Sequence, residues 1–262
     1  MDSISENGGE PKKQTIKLTL EYDGTDFAGW QVQPNQRTVQ EELEKALFEL
    51  TGEKIRVTAA GRTDAGVHAL GQVVSFRTGS SYPPETFKKA LNGITPKDIL
   101  IHDAEAVPDR FCARRWATER TYRYRLSWSE RAIGRQYVWH PWGYYDLDKM
   151  QKASEFLKGE HDFTSFCKER PGEENPISIV YDIQWIEKED EIWFEITAVR
   201  FFHNMIRIIL GTLLEVGAGK REPEDIRRLL KEKDRTLTGQ TIPPHGLCFL
   251  RVKYDERKIN AF

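Results

Sequence analysis

Cysteine is scarce in this chain of 262 residues: Cys112, Cys167 and Cys248 are odd in number, far apart and in no C-x-x-C pair. That argues against a disulfide-stapled secreted framework and fits reduced thiols inside a cell. Long apolar runs are missing as well. The longest candidate, Met205 to Val216, is broken by Arg207 and Glu215, which leaves no stretch able to span a bilayer. The six histidines show no i, i+4 pairing and no cysteines at ligand spacing, so no metal site is expected. Net charge is only −2, too small to attract nucleic acid globally. Residues 1–13 carry almost nothing apolar and read as a disordered N-terminal tail rather than a signal peptide. These absences together predict a soluble, cytoplasmic protein with no membrane partner.

What is present is a normal hydrophobic share, 39%, in a chain long enough to bury a substantial core. Its charges are unevenly placed. Between Arg110 and Arg135 eight arginines face two acids, Glu119 and Glu130, with Trp116, Tyr122, Tyr124 and Trp128 interleaved. Arginine mixed with aromatics grips phosphate and stacks on unpaired bases. The same run also reads as an exposed strand with solvated charges.

Periodicity predicts a strand over Lys17–Tyr22, then a helix opened by the capping box Thr38-Val-Gln-Glu41 and closed by Gly52. Two strands follow within 56–76, then a helix primed by Pro83-Pro84 and a strand over Asp98–Val107. Strand, helix, strand, strand, helix, strand is the split β-α-β, ferredoxin-like order. It recurs with longer connections: a strand over Cys112–Trp128, a helix over Asp146–Leu157, strands over Ile177–Glu187 and Ile192–Val199. Helices over Asn204–Val216 and Glu222–Leu230 and a strand over Cys248–Tyr254 complete it. The expected fold is α+β: two ferredoxin-like halves, 14–107 and 108–262, whose mainly antiparallel sheets meet side by side and leave a central cleft. Lys168 to Pro176 reads as a mobile loop.

Two local features stand out chemically. The segment Ala59-Ala-Gly-Arg-Thr-Asp-Ala-Gly66 puts Asp64 on a thin loop between strands, where Gly61 and Gly66 can take positive φ. Turn chemistry alone would make Asp64 an ordinary turn aspartate. Arg207 sits among Met205, Ile206, Ile208, Ile209 and Leu210, where an unpaired guanidinium is costly, so it either meets an anion or snorkels to water. His203, Arg207 and Gly211 would share one helix face with a notch. Gly217-Ala-Gly-Lys-Arg221 is not a phosphate-binding loop, since Leu214 stands where its first glycine is required and Arg221 replaces the Ser or Thr.

Arg62-Thr-Asp-Ala-Gly-Val-His68 resembles the signature loop of the tRNA pseudouridine synthase A family. Tyr22-Asp-Gly-Thr-Asp-Phe-Ala-Gly-Trp-Gln31, Arg120-Thr-Tyr-Arg-Tyr124, His203-Asn-Met-Ile-Arg207, Asp234-Arg-Thr-Leu237 and His245-Gly-Leu-Cys-Phe-Leu250 are similar to that family's other blocks, in the same order. The resemblance implies two α/β halves with the catalytic loop in the cleft between them. It also implies isomerisation of uridine to pseudouridine at positions 38, 39 and 40 of the tRNA anticodon stem-loop, without a cofactor. By the same resemblance Asp64 is the catalytic carboxylate, and Arg207 pairs with it, which favours the charged carboxylate. Tyr122 stacks on the target uracil, Arg62 fills the space the flipped base leaves, and Leu247 walls the pocket. Partners implied are the anticodon arm of tRNA and a second copy of the chain. One departure from the resemblance is Ser178, where a basic residue is common in that family. Two other readings of the residues stand beside this one. A non-catalytic RNA-binding module on the same halves would explain the arginines and aromatics but not a presented carboxylate. A metal-dependent nuclease would need Asp23, Asp26 and Asp64 together.

Overall fold

The computed structural model describes residues 13–168, 176–255 and 257. The tail expected over 1–13, apart from Lys13, and most of the loop expected over 168–176 lie outside these residues. Strand β1 (Gln14–Tyr22) buries Ile16, Leu18, Leu20 and Tyr22 at alternate positions, as period-two patterning requires. Helix α1 (Val39–Thr51) begins where the Thr38 side chain accepts from the Glu41 N–H, and ends at Gly52 with φ 71°. The buried residues Val39, Leu43, Ala46 and Leu47 show why a 3.6-residue stripe forms a helix here. Then come β2 (Thr58–Ala59), β3 (His68–Thr78), α2 (Pro84–Ile94) and β4 (Ile99–Val107).

Past residue 108 the chain forms β5 (Ala117–Ser127), α3 (Leu147–Glu155), β6 (Gly159–Asp162), β7 (Ile177–Glu187) and β8 (Glu191–Ala198). Helices α4 (Met205–Gly217) and α5 (Asp225–Glu232) precede the last strand, β9 (Leu247–Tyr254). The sheet order is β4-β1-β3-β9-β5-β8-β7-β6, with β2 pairing β3. Within it β4-β1-β3-β2 and β9-β5-β8-β7 repeat one strand order, that of the split β-α-β unit. The two sets join into one nine-stranded sheet through the parallel pairs His68↔Cys248 and Ala69↔Phe249 of β3 and β9; all other named pairings are antiparallel. His68 is four residues past Asp64, so the catalytic-loop candidate enters the sheet at its seam.

Boundaries differ from expectation where local hydrogen bonds compete with the ladder. β5 starts at Ala117 rather than Cys112, because 108–116 is coiled into turns by Phe111 N–H to Pro108 O (2.8 Å) and Trp116 N–H to Cys112 O (3.0 Å). β6 was not expected; Gly159, at φ 99°, turns the chain into a four-residue strand against β7. Pro223 lies in the turn before α5, and α4 starts one residue later than expected. His203 precedes the helix across Asn204, whose left-handed backbone (φ 61°) turns it off the helix face it was expected to share.

Candidate active site

The loop carrying Asp64 is held along most of its length. Arg120 of β5 donates from Nε to Ala60 O (2.9 Å), and the buried Gln72 side chain donates to Gly61 O (2.8 Å). Trp30 N–H donates to Thr63 O (3.0 Å), the Tyr22 hydroxyl lies 2.7 Å from Thr63 Oγ1, and Gly66 N–H reaches Phe27 O at 3.3 Å. Gly66 does take positive φ, 75°, as its turn requires; Gly61 does not. What Gly61 supplies is room: a Cβ there would sit 3.3 Å from the Phe249 ring and 3.4 Å from the Tyr122 hydroxyl.

Asp64 itself is a quarter exposed, with Arg207 Nη1 3.6 Å from Oδ2 and His203 Nε2 3.7 Å from Oδ1. Both separations are ion-pair distances just beyond a hydrogen bond, so the carboxylate faces positive charge while keeping its lone pairs for a substrate. At such a distance near a protein surface, two unit charges attract by roughly 4 kcal/mol before desolvation is subtracted. Arg207 is oriented by Nε donating to Ile242 O (2.7 Å) and Nη1 to Asn204 Oδ1 (2.9 Å). Both expectations for Arg207 meet here, since it has an anion and also polar anchors at the edge of the apolar helix. The notch expected at Gly211 exists: a Cβ there would come 2.0 Å from Gln240 O, so glycine lets segment 239–242 cross α4 and bring the Ile242 carbonyl to Arg207.

Tyr122 is buried on β5, edge-on to Phe201 (5.1 Å between centroids) and to Phe249 (4.8 Å). Burial, with the nearby Tyr22 phenol and Asp64 carboxylate adding to it, pushes its phenol well above the usual tyrosine range, so it stays neutral. Tyr124 shares that face as expected, but its hydroxyl donates to Pro243 O (2.8 Å). Arg62 is exposed, two residues before Asp64. Leu247 is buried at the start of β9 and pairs with Tyr124, whereas the partner of Tyr122 on β9 is Phe249. Asp64, Arg207 and His203 thus meet directly, with Tyr122 against the base of the same loop.

Sequence reasoning assigned no role to Arg120 or Gln72, which fix the loop, or to Asn204. Asn204 takes φ 61°, a conformation asparagine adopts more readily than most residues. A lone Asn between the aromatic segment and the apolar helix was the available signal. The arginine-rich run behaves differently from expectation on one side of β5. Arg123 pairs with Glu195 (2.5 Å), and Arg125 and Arg131 both pair with Glu191 (2.7 Å each), so these three are neutralised within the fold. Asp23 is occupied by the Tyr137 hydroxyl (2.6 Å) and by Thr25. Among the described residues no group of three or more His, Cys, Asp or Glu could hold a metal ion. A cleft of about 670 Å³ opens nearby between Asp23, Arg135, Trp142 and His245, but Asp64, Tyr122 and Arg207 do not line it. The Asp64 loop and this opening are therefore separate features of the surface.

The tRNA pseudouridine synthase profile matches residues 19–115 and 153–255. A tRNA pseudouridine synthase A of Halalkalibacterium halodurans is 46% identical over 247 residues, covering 93% of this chain and 94% of its own length. Those of an Exiguobacterium species (43% identity; 92% of this chain and 98% of its own length covered) and of Bacillus subtilis (42%; 92% and 99%) are similar to it as well. With a profile over most of the chain and near full-length relatives at this identity, the chain belongs to the tRNA pseudouridine synthase A family.

Proposed function

We propose that this enzyme converts uridine to pseudouridine at positions 38, 39 and 40 of the tRNA anticodon stem-loop, with Asp64 as its catalytic carboxylate. The observation that carries the reading is a rigidly held loop presenting one accessible carboxylate 3.6 Å from Arg207, beside the buried Tyr122. The reaction breaks the bond from ribose C1′ to uracil N1, turns the base, and joins C1′ to C5. The proton lost from C5 balances the one gained at N1, so no electron, phosphate or external group enters and no cofactor is called for. A carboxylate supports this by covalent attack at C1′ or by taking a proton from the sugar. Arg207 orients Asp64 and offsets its charge. Tyr122 offers a neutral aromatic surface to the uracil, and base stacking of ~1–3 kcal/mol offsets part of the cost of extracting the nucleotide. Exposed Arg62 fills the vacated stack, and Leu247 contributes an apolar wall. A homodimer acting in the cytoplasm, with both copies contributing to the tRNA surface, belongs to the same proposal.

The test is a single-turnover assay on unmodified tRNA transcript bearing uridines at 38 to 40, comparing wild type with Asp64→Asn. Wild type forms pseudouridine; Asp64→Asn binds the transcript but turns over slower by on the order of a thousandfold or more, the usual scale for an essential catalytic group. Turnover retained by Asp64→Asn would sink the assignment.

A further inference from the structure

Among the described residues, three arginines with no carboxylate at ion-pair distance, Arg114, Arg120 and Arg200, are linked to one another through main-chain contacts. Arg120 is 8% exposed, yet its guanidinium donates only to main-chain carbonyls: Ala60 O (2.9 Å), Arg114 O (2.8 Å), Ala117 O (3.4 Å) and Val199 O. Carbonyls satisfy N–H groups, but they do not cancel the positive charge. Because one side chain ties these segments together, the residues beside its anchor points are brought together as well. Arg114 is itself an anchor, Arg200 follows Val199, and both are exposed. Arg200 is steadied by Nε donating to Ile177 O (3.1 Å) and by Ser178 Oγ donating to its own carbonyl (2.7 Å). Among the described residues neither Arg114 nor Arg200 has a carboxylate within ion-pair distance, unlike Arg123, Arg125 and Arg131.

We propose that Arg114 and Arg200, set around the buried guanidinium of Arg120, form a site for a phosphodiester of the RNA backbone beside the catalytic loop. Three like charges held together are mutually unfavourable, and an arriving anion relieves that cost. The cluster is electrostatically coupled: burial above all, opposed by Tyr122 and Tyr254 and aided by the smaller effects of Arg114 and Arg200, pushes the Arg120 guanidinium below the usual arginine range. Guanidinium groups match phosphate oxygens in geometry, often with two parallel hydrogen bonds. Position gives the site its use. Arg120 lies two residues before Tyr122 on β5 and holds Ala60, four residues before Asp64, so a phosphate bound there fixes the RNA strand relative to both. The proposal rests on RNA being the substrate.

The experiment measures the Kd of unmodified tRNA transcript over a range of NaCl for wild type, Arg114→Gln, Arg200→Gln and the double variant. Arg228→Gln serves as control, because Arg228 is exposed on α5 and paired with Asp225 (3.0 Å). Thermal unfolding confirms that each variant is folded. Each single charge loss is expected to weaken binding about fivefold at moderate salt and to reduce the slope of log K against log[NaCl] by about 0.7–0.9, the value for one phosphate contact. A single methylphosphonate placed at the contacted phosphate of the anticodon arm should weaken wild type and leave the double variant unaffected. Affinity and slope in the Arg114 and Arg200 variants equal to those of Arg228→Gln would overturn the site. Pseudouridine formation by wild type on the same transcript is scored in parallel. Its absence would count against the proposed reaction, while the salt slopes decide the phosphate site separately.

Discussion

Strand β5 and its approach carry arginines of two kinds. On one face Arg123 stands directly across from Glu195 in the β5–β8 register, and Arg125 reaches Glu191, which Arg131 also grips. These pairs staple strands together. Toward the Asp64 loop, Arg120 finds only main-chain carbonyls. Both sets have the same side-chain chemistry. The difference is whether the neighbouring strand supplies a carboxylate within reach, which decides whether the charge is neutralised within the fold.

Removing the hub should produce the largest effect. Arg120→Met keeps roughly the volume but removes donors from one buried and three part-buried carbonyls, a loss of about 1–3 kcal/mol for each that is cut off from water. We expect a loss of at least about 3 kcal/mol and a melting temperature lower by roughly 10 °C, read by calorimetry. An unchanged melting temperature would mean that the carbonyl contacts contribute little. Glu191 tests the paired side. Hydrogen bonds from Arg125 above all, helped by Trp193 and Arg131 and opposed by burial, hold its carboxyl at about 2, below its ordinary 4.5. A depressed carboxyl stabilises the fold above its unfolded pKa and loses that contribution as pH falls through the folded one. The window is therefore between about 4.5 and about 2, and the contribution is on the order of 3 kcal/mol. Urea unfolding across that range should show a steep acid loss in wild type that Glu191→Gln flattens; parallel curves would contradict the pairing. The smallest effect is expected from Arg207→Gln. Losing a charged contact worth about 1.5–3 kcal/mol slows single turnover by roughly 10- to 100-fold, with tRNA affinity held within about twofold. A fall in affinity with an unchanged rate would instead assign Arg207 to binding.

Much of the site was legible because its signals are local. Asp64 lies in a glycine-flanked loop that one short motif spans, and Arg207 is conspicuous as the one charge between Met205 and Leu214. The capping box at Thr38 and the notch at Gly211 are likewise short-range patterns. Illegible features depend on distant partners. Arg120 contacts Ala60 and Val199 across sequence separations of 60 and 79, and no periodicity marks a side chain whose acceptors are backbone carbonyls. Arg123 and Arg125 looked available because Glu195 and Glu191 lie 72 and 66 residues away. His203 joined Asp64 through a left-handed turn at Asn204, which a helical wheel places differently.

By itself, then, the sequence determined the helices, most of the strands and the repeated strand order, because hydrophobic period and turn chemistry act over a few residues. Only the tertiary structure decided that the two sets of strands fuse through β3 and β9, which arginines are neutralised, and how the loop is held. Those outcomes depend on register between strands far apart in the chain, where a shift of one residue would turn each side chain to the opposite face.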